Sequence, residues 1–194
     1  MGDDRVTFYF AYNSPYAFLA NTRIDEALAQ FDVPLDRTPV YQPSPGGGPD
    51  FNSPRIQYIV QDIARFANAY GLKLNPGPFA DTGRACLGFL FASEAGTGKE
   101  FHDRVYRARW LEGLDIGDEA TLMELAEACA LDREMFLAAI DDDSPYAGAR
   151  ADHAAAAEAD GVFGFPFFVY KDQKFWGNDR IEWLVNIIEE DRAK

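Results

Sequence analysis

Residues 5–11 (RVTFYFA) form an apolar run rich in β-branched and aromatic side chains, the pattern of a strand. The period then changes. From about residue 15 to 31, Phe18, Leu19, Ile24, Ala27, Leu28 and Phe31 recur on one side of a helix. Residues 33–41 read as a second strand with prolines at its edges. Such a β-α-β opening favours parallel strands joined by a helical crossover. Residues 42–54 (QPSPGGGPDFNSP) have the composition of a loop. Beyond them, helix follows helix. Ile56, Ile59, Val60, Ile63, Phe66, Ala67 and Tyr70 keep helical spacing until Gly71 stops them. Residues 83–95, 98–112, 119–130 and 132–140 predict four more helices. Ser144-Pro145 reads as the cap and first position of a sixth, running to about Asp160. Strands return at 165–170 and 174–176, with 171–173 as the turn of a hairpin. Asn178-Asp179 reads as the cap of a last helix over 180–190, with Ile181, Leu184, Val185 and Ile188 inward.

The order is therefore β-α-β, an all-helical middle, then β-β-α. This predicts an α/β, thioredoxin-like fold interrupted by a large all-helical insertion. Residues 1–42 plus 149–194 would form the thioredoxin-like domain and 43–148 the inserted helical domain. No internal repeat or low-complexity linker interrupts the pattern.

Composition narrows the function classes. The hydrophobic fraction of 47% suits a packed core, yet no run approaches the roughly 20 apolar residues that span a membrane. Residues 1–5 (MGDDR) lack the layout of a secretion signal. Cys86 and Cys129 lie far apart in helical patterns and make no redox or metal motif, which predicts a reducing, cytoplasmic setting. With His102 and His153 as the only histidines, a metal site is not expected. The net charge of −14 argues against nucleic acid and against anionic membrane surfaces as partners. A small anionic ligand stays open, because local N–H groups can override the global field.

Three places in this layout would converge. The first is the strand-to-helix turn Asn13-Ser14-Pro15-Tyr16-Ala17, whose N–H groups form an anion site at a helix start. Ser before Pro is also a favoured helix cap, worth about 1 kcal/mol, and spacing alone favours that plainer role. The sharper role has the hydroxyl donating to a ligand thiolate, with the helix dipole lowering the thiol pKa. The second place is Gly164-Phe165-Pro166. Pro166 is either a simple strand-entry proline or part of a cis peptide that leaves the Phe165 N–H and C=O free for an extended ligand. The third is Trp176-Gly177-Asn178-Asp179-Arg180. Asp179 with Glu182 reads as a capping box, or as a second helix start holding a ligand's carboxylate and ammonium. Arg55 opens the first inserted helix and is either a solvated charge or a contact for an anionic ligand. The acidic run 141–143 reads as turn residues, and Gly46-Gly47-Gly48 lacks the Gly-Lys-Ser/Thr of a phosphate loop.

These segments together resemble the kappa-class glutathione transferase and 2-hydroxychromene-2-carboxylate isomerase family of the DsbA-like thioredoxin superfamily. Phe8-Tyr9-Phe10 with Ser14-Pro15-Tyr16 and Leu19-Ala20 is similar to the family's opening. Residues 161–168 (GVFGFPFF) resemble its cis-proline segment, and 175–180 (FWGNDR) its glutathione-binding turn. Asp62, Arg65 and Tyr70-Gly71 are similar to its first inserted helix. The resemblance implies glutathione as a cofactor that is not consumed, and cis–trans isomerisation of a small aromatic or electrophilic substrate in aromatic catabolism. It implies that Ser14 holds the sulfur and that Phe165, beside Pro166, pairs its backbone with the cysteinyl unit. Asn178 and Asp179 would bind the γ-glutamyl end, Arg55 the glycyl end or the substrate, and the chain would be a homodimer. Phe165 and Phe167 are bulkier than the residues common around the family's proline. Two other readings stay open. One is a kappa-like transferase or peroxidase that consumes glutathione. The other is a redox-inactive, DsbA-like peptide-binding protein in which Ser14 is only a cap. A thiol–disulfide oxidoreductase would need cysteines where Ser14-Pro15-Tyr16-Ala17 stands.

Overall fold

A computed structural model describes residues 4–43 and 48–193. Gly46 and Gly47 of the glycine run, and the first three residues of the N-terminal segment, lie outside the described residues. The chain divides into two compact units, residues 1–40 with 153–194 and residues 41–152.

The first unit holds β1 (Val6–Phe10), α1 (Pro15–Leu28), β2 (Leu35–Pro39), β3 (Phe167–Tyr170), β4 (Gln173–Trp176) and α8 (Ile181–Arg192). The sheet order is β2-β1-β3-β4. β1 pairs parallel with β2, from Val6↔Leu35 to Phe10↔Pro39. It pairs antiparallel with β3, from Val6↔Tyr170 to Tyr9↔Phe167. Alternation puts Phe8 and Phe10 on one face, where Phe168 stacks on Phe8 at 4.9 Å across the strands. All three are fully buried, each stabilising the fold by about 1.5–3 kcal/mol. Tyr9 and Phe167 point the other way and cluster with Val40 and Ala157. The Tyr9 hydroxyl donates to Asp160 at 2.6 Å. Helices α1 and α8 pack against each other.

The second strand is shorter than its pattern, although Val6 N–H to Pro34 and Val40 N–H to Phe10 continue the pairing beyond both ends. β3 begins at Phe167, not Phe165, because Pro166 has no N–H for the ladder. The hairpin turn is only Lys171-Asp172, and Gln173 pairs with Tyr170.

The second unit contains α2 (Pro54–Ala69), α3 (Gly83–Glu94), α4 (Gly98–Arg107), α5 (Glu119–Glu127) and α6 (Arg133–Ala139). Helix α7 (Tyr146–Ala159) begins in it and ends in the first unit. Phe101 and Phe136 meet at 5.5 Å, and Phe91 lies 6.1 Å from Phe136. Their rings leave room only for glycine at 88, where a Cβ would come within 2.9 Å of the Phe136 ring. The predicted helix over 98–112 changes character midway. After Arg107 it widens into a π-turn, Ala108–Glu112. There the Gly113 N–H returns to Ala108, and the Arg109 and Trp110 carbonyls accept from Gly77 and Asn75. Along α2, Ala67 is buried while Tyr58 and Val60 are exposed, so the apolar stripe of that helix is only partly covered. Ser144 does not cap α7. Its carbonyl accepts from Ala147 N–H, while its buried hydroxyl has no partner among the described residues. Among the described residues, no helix is long and apolar enough to cross a membrane.

Candidate functional site

Ser14 closes the turn after β1, its N–H bonded to Ala11 at 2.9 Å. Its extended backbone (φ −86°, ψ 114°) and Pro15 at the next position start α1. The hydroxyl accepts from Ala17 N–H at 3.2 Å, so the cap exists. The same hydroxyl donates to the Phe165 carbonyl at 3.0 Å, across 151 positions of sequence. The long reach follows from the sheet: β3 is the neighbour of β1, so the residues entering β3 arrive beside the turn leaving β1.

The Phe165-Pro166 peptide is cis. The expectation that both backbone groups of Phe165 are free needs correcting, since its C=O is taken by Ser14. Among the described residues, nothing accepts from the Phe165 N–H.

A hydrogen bond from Gly177 N–H to the Pro166 carbonyl at 3.0 Å ties the third segment to the second. Gly177 has φ +116° and ψ 152°, a region open to glycine. A Cβ there would sit 2.6 Å from Asp179 Oδ1. Asn178 is buried at 2% exposure. The turn Asn178–Arg180 is a 3-10 helix that packs against α1. The capping box expected from Asp179 and Glu182 does not form, because Asp179 lies inside the 3-10 turn Asn178–Arg180, one position ahead of the α8 cap at Arg180. Asp179 accepts from Arg180 Nη1 at 2.7 Å, Glu182 from Arg23 Nη2 at 3.3 Å, and α8 starts with no side-chain cap. Ser14, Phe165, Pro166, Asn178 and Asp179 thus fall on three segments, linked by the Ser14–Phe165 and Gly177–Pro166 hydrogen bonds and by packing of the Asn178–Arg180 turn on α1. Arg55 is in the second unit, exposed in the first turn of α2 after the Ser53 cap. It makes no ion pair among the described residues.

Three features of this region were not assigned a role from residue types alone. Arg180 neutralises Asp179 locally. Phe163 and Trp176 are both exposed and meet edge to face at 4.8 Å. Gly164 lets the Trp176 indole lie close, since a Cβ would be 2.7 Å from its Nε1. Only the exposed aromatics in 163–176 hinted at this ledge.

The chain's own sulfurs are not reactive groups. Burial pushes the Cys86 thiol up to about 12, and burial also raises that of Cys129. A thiolate at the Ser14 turn would have to arrive on a ligand.

A family described as a DSBA-like thioredoxin domain matches residues 5–189. A 2-hydroxychromene-2-carboxylate isomerase of Sphingobium xenophagum is 28% identical over 191 residues, covering 94% of this chain and 97% of the relative. Among solved structures, a 2-hydroxychromene-2-carboxylate isomerase superposes with a TM-score of 0.82 at 23% identity, covering 95% of this chain and 94% of that one. The cytosolic disulfide reductase DsbM of Pseudomonas aeruginosa, solved with GSH, has a TM-score of 0.74 at 16% identity, with 98% and 100% coverage. At those identities the two structures speak for a shared fold.

Proposed function

The chain belongs to the DSBA-like thioredoxin domain family, and we propose that it is a glutathione-dependent isomerase of the 2-hydroxychromene-2-carboxylate type. The observation that carries this reading is the Ser14 hydroxyl, fixed at a helix start and 3.0 Å from the Phe165 carbonyl, where a dithiol enzyme needs cysteine. The isomerases similar to it over nearly its whole length add support.

The residues present suit glutathione. An extended cysteinyl backbone needs one acceptor and one donor, and Phe165 offers the second lone pair of the C=O that Ser14 already engages and an N–H without a partner among the described residues. Bound glutathione would supply a thiolate that adds to an activated double bond and leaves again, without being consumed. Ser14 would stabilise that charge by donating its proton, held in place by Ala17 N–H. The α1 N-terminus adds the favourable end of its dipole. Asn178 and Asp179 are assigned to the γ-glutamyl end, Asp179 accepting its ammonium. Arg55, an exposed cation with no ion pair among the described residues, is assigned to the glycyl carboxylate or an anionic substrate. The Phe163–Trp176 ledge suits a small aromatic or electrophilic substrate. A reducing, cytoplasmic setting and a homodimer complete the proposal; the buried thiols support the first and the partly covered face of α2 the second.

The test is turnover of a hydroxychromene carboxylate with glutathione followed in parallel. Isomerisation requiring glutathione at constant glutathione concentration is expected. Stoichiometric loss of glutathione would make the protein a kappa-like transferase instead. No turnover and no glutathione binding would leave a redox-inactive peptide-binding protein.

A further inference from the structure

The Ser14 hydroxyl has one proton, and that proton is already given to the Phe165 carbonyl at 3.0 Å. Its oxygen meanwhile accepts from Ala17 N–H at 3.2 Å. A thiolate at this turn needs the same proton. The hydroxyl can turn about its Cβ–Oγ bond and keep the Ala17 contact, but it then abandons Phe165. Among the described residues, Ser14 is the donor that reaches this carbonyl. A part-buried carbonyl left bare opposes the change.

We infer that the Phe165 carbonyl latches the Ser14 proton, and that a ligand releases it by donating an amide N–H to that same carbonyl. A carbonyl oxygen has two lone pairs, so the amide docks before the hydroxyl leaves. The hydroxyl then turns to the sulfur, and the thiol proton goes to solvent. No covalent bond of the protein changes. The inference rests on the proposed glutathione reading and adds a specificity rule. The site stabilises thiolates carried next to a secondary amide, such as the cysteinyl unit of a peptide, and leaves amide-free thiols protonated. Because coupling is reciprocal, ionising the sulfur also tightens the hold on the amide.

Four ligands test this on the wild-type chain by calorimetry: glutathione, glutathione methylated on the cysteinyl amide nitrogen, γ-Glu-Ala-Gly, and its N-methyl form. The methyl group's bulk is common to both pairs and cancels in the cycle. Methylation is expected to weaken the thiol pair about five- to tenfold more than the thiol-free pair, as for one further hydrogen bond. The pKa of the bound thiol, read from thiolate absorbance, should return towards its free value in N-methyl glutathione. In Ser14→Ala the extra factor should vanish. Equal methylation penalties in the two pairs, or an equally lowered thiol pKa with and without the amide N–H, would overturn the latch while leaving the glutathione reading intact. Failure of both glutathione and γ-Glu-Ala-Gly to bind would instead remove that reading, and the latch with it.

Discussion

One substitution made at two glycines should move stability in opposite directions. At Gly177 the backbone sits at φ +116° and ψ 152°, where a side chain costs about 1–3 kcal/mol in backbone strain. An added Cβ would also approach Asp179 Oδ1 to 2.6 Å, well inside any ordinary contact. Relief requires moving the Asp179 carboxylate, which is paired with Arg180 at 2.7 Å, or moving the Gly177 N–H off the Pro166 carbonyl. Gly177→Ala is therefore expected to lose about 2–3 kcal/mol. Gly148 lies in the helix α7, exposed, with nothing within 4 Å of a built Cβ. Gly148→Ala should gain about 0.5–1 kcal/mol from the lower entropy of the unfolded chain. The two variants should differ by about 3 kcal/mol, or roughly 6–12 °C in Tm for a chain of this size. Urea titration and thermal melting followed by circular dichroism would read both. A Gly177→Ala variant as stable as wild type would show that the turn does not hold this conformation in solution. The tie between the Asn178-Asp179 turn and the Phe165-Pro166 segment would then be withdrawn.

Three further outcomes follow from named contacts. Tyr9→Phe removes the 2.6 Å bond to Asp160 and should cost about 1–2 kcal/mol in urea titration. Burial, with the Asp160 carboxylate beside it, raises the Tyr9 pKa above the ordinary value of 10.0. The neutral phenol thus stabilises the fold fully below pH 10.0, and that contribution is lost as pH climbs through the raised folded value. The alkaline fall in stability should be shallower in Tyr9→Phe. Phe168→Ala opens a void against Phe8 in the first unit and should cost about 3–5 kcal/mol, read as a lower urea midpoint. Neither Cys86 nor Cys129 should react with an aromatic disulfide reagent at pH 8 until the chain is unfolded, because both are buried with raised pKa values.

Much of the fold was legible because it is local. Phe8, Tyr9 and Phe10 alternate as a strand must, and Ile181, Leu184 and Ile188 repeat as a buried helix face must. Element ends were less legible, because residue spacing does not fix where a helix starts. Asp179 and Glu182 have capping-box spacing, but Asp179 lies inside the 3-10 turn, one position ahead of the α8 cap at Arg180. Ser144 stands before Pro145 as a cap would, yet its hydroxyl makes no bond among the described residues. The π-turn at Ala108–Glu112 has no residue signature, as Gly113 marks only where the helix stops. At the candidate site, the residue types of Ser14, Phe165 and Asp179 suggested ligand chemistry. Their hydrogen bonds could not be read from residue types, since the Ser14–Phe165 bond spans 151 positions and depends on β1 lying beside β3.

The central claim is that the Ser14 turn stabilises a ligand thiolate. Its most direct test is calorimetry of glutathione and S-methylglutathione at pH 7 in buffers of different ionisation enthalpy, which counts protons released on binding. A free thiol with a pKa of about 8.5 is almost wholly protonated at that pH. The account predicts binding of glutathione with release of close to one proton, weaker binding of S-methylglutathione with none, and loss of the difference in Ser14→Ala. Binding of both ligands with equal affinity and no proton release would contradict it.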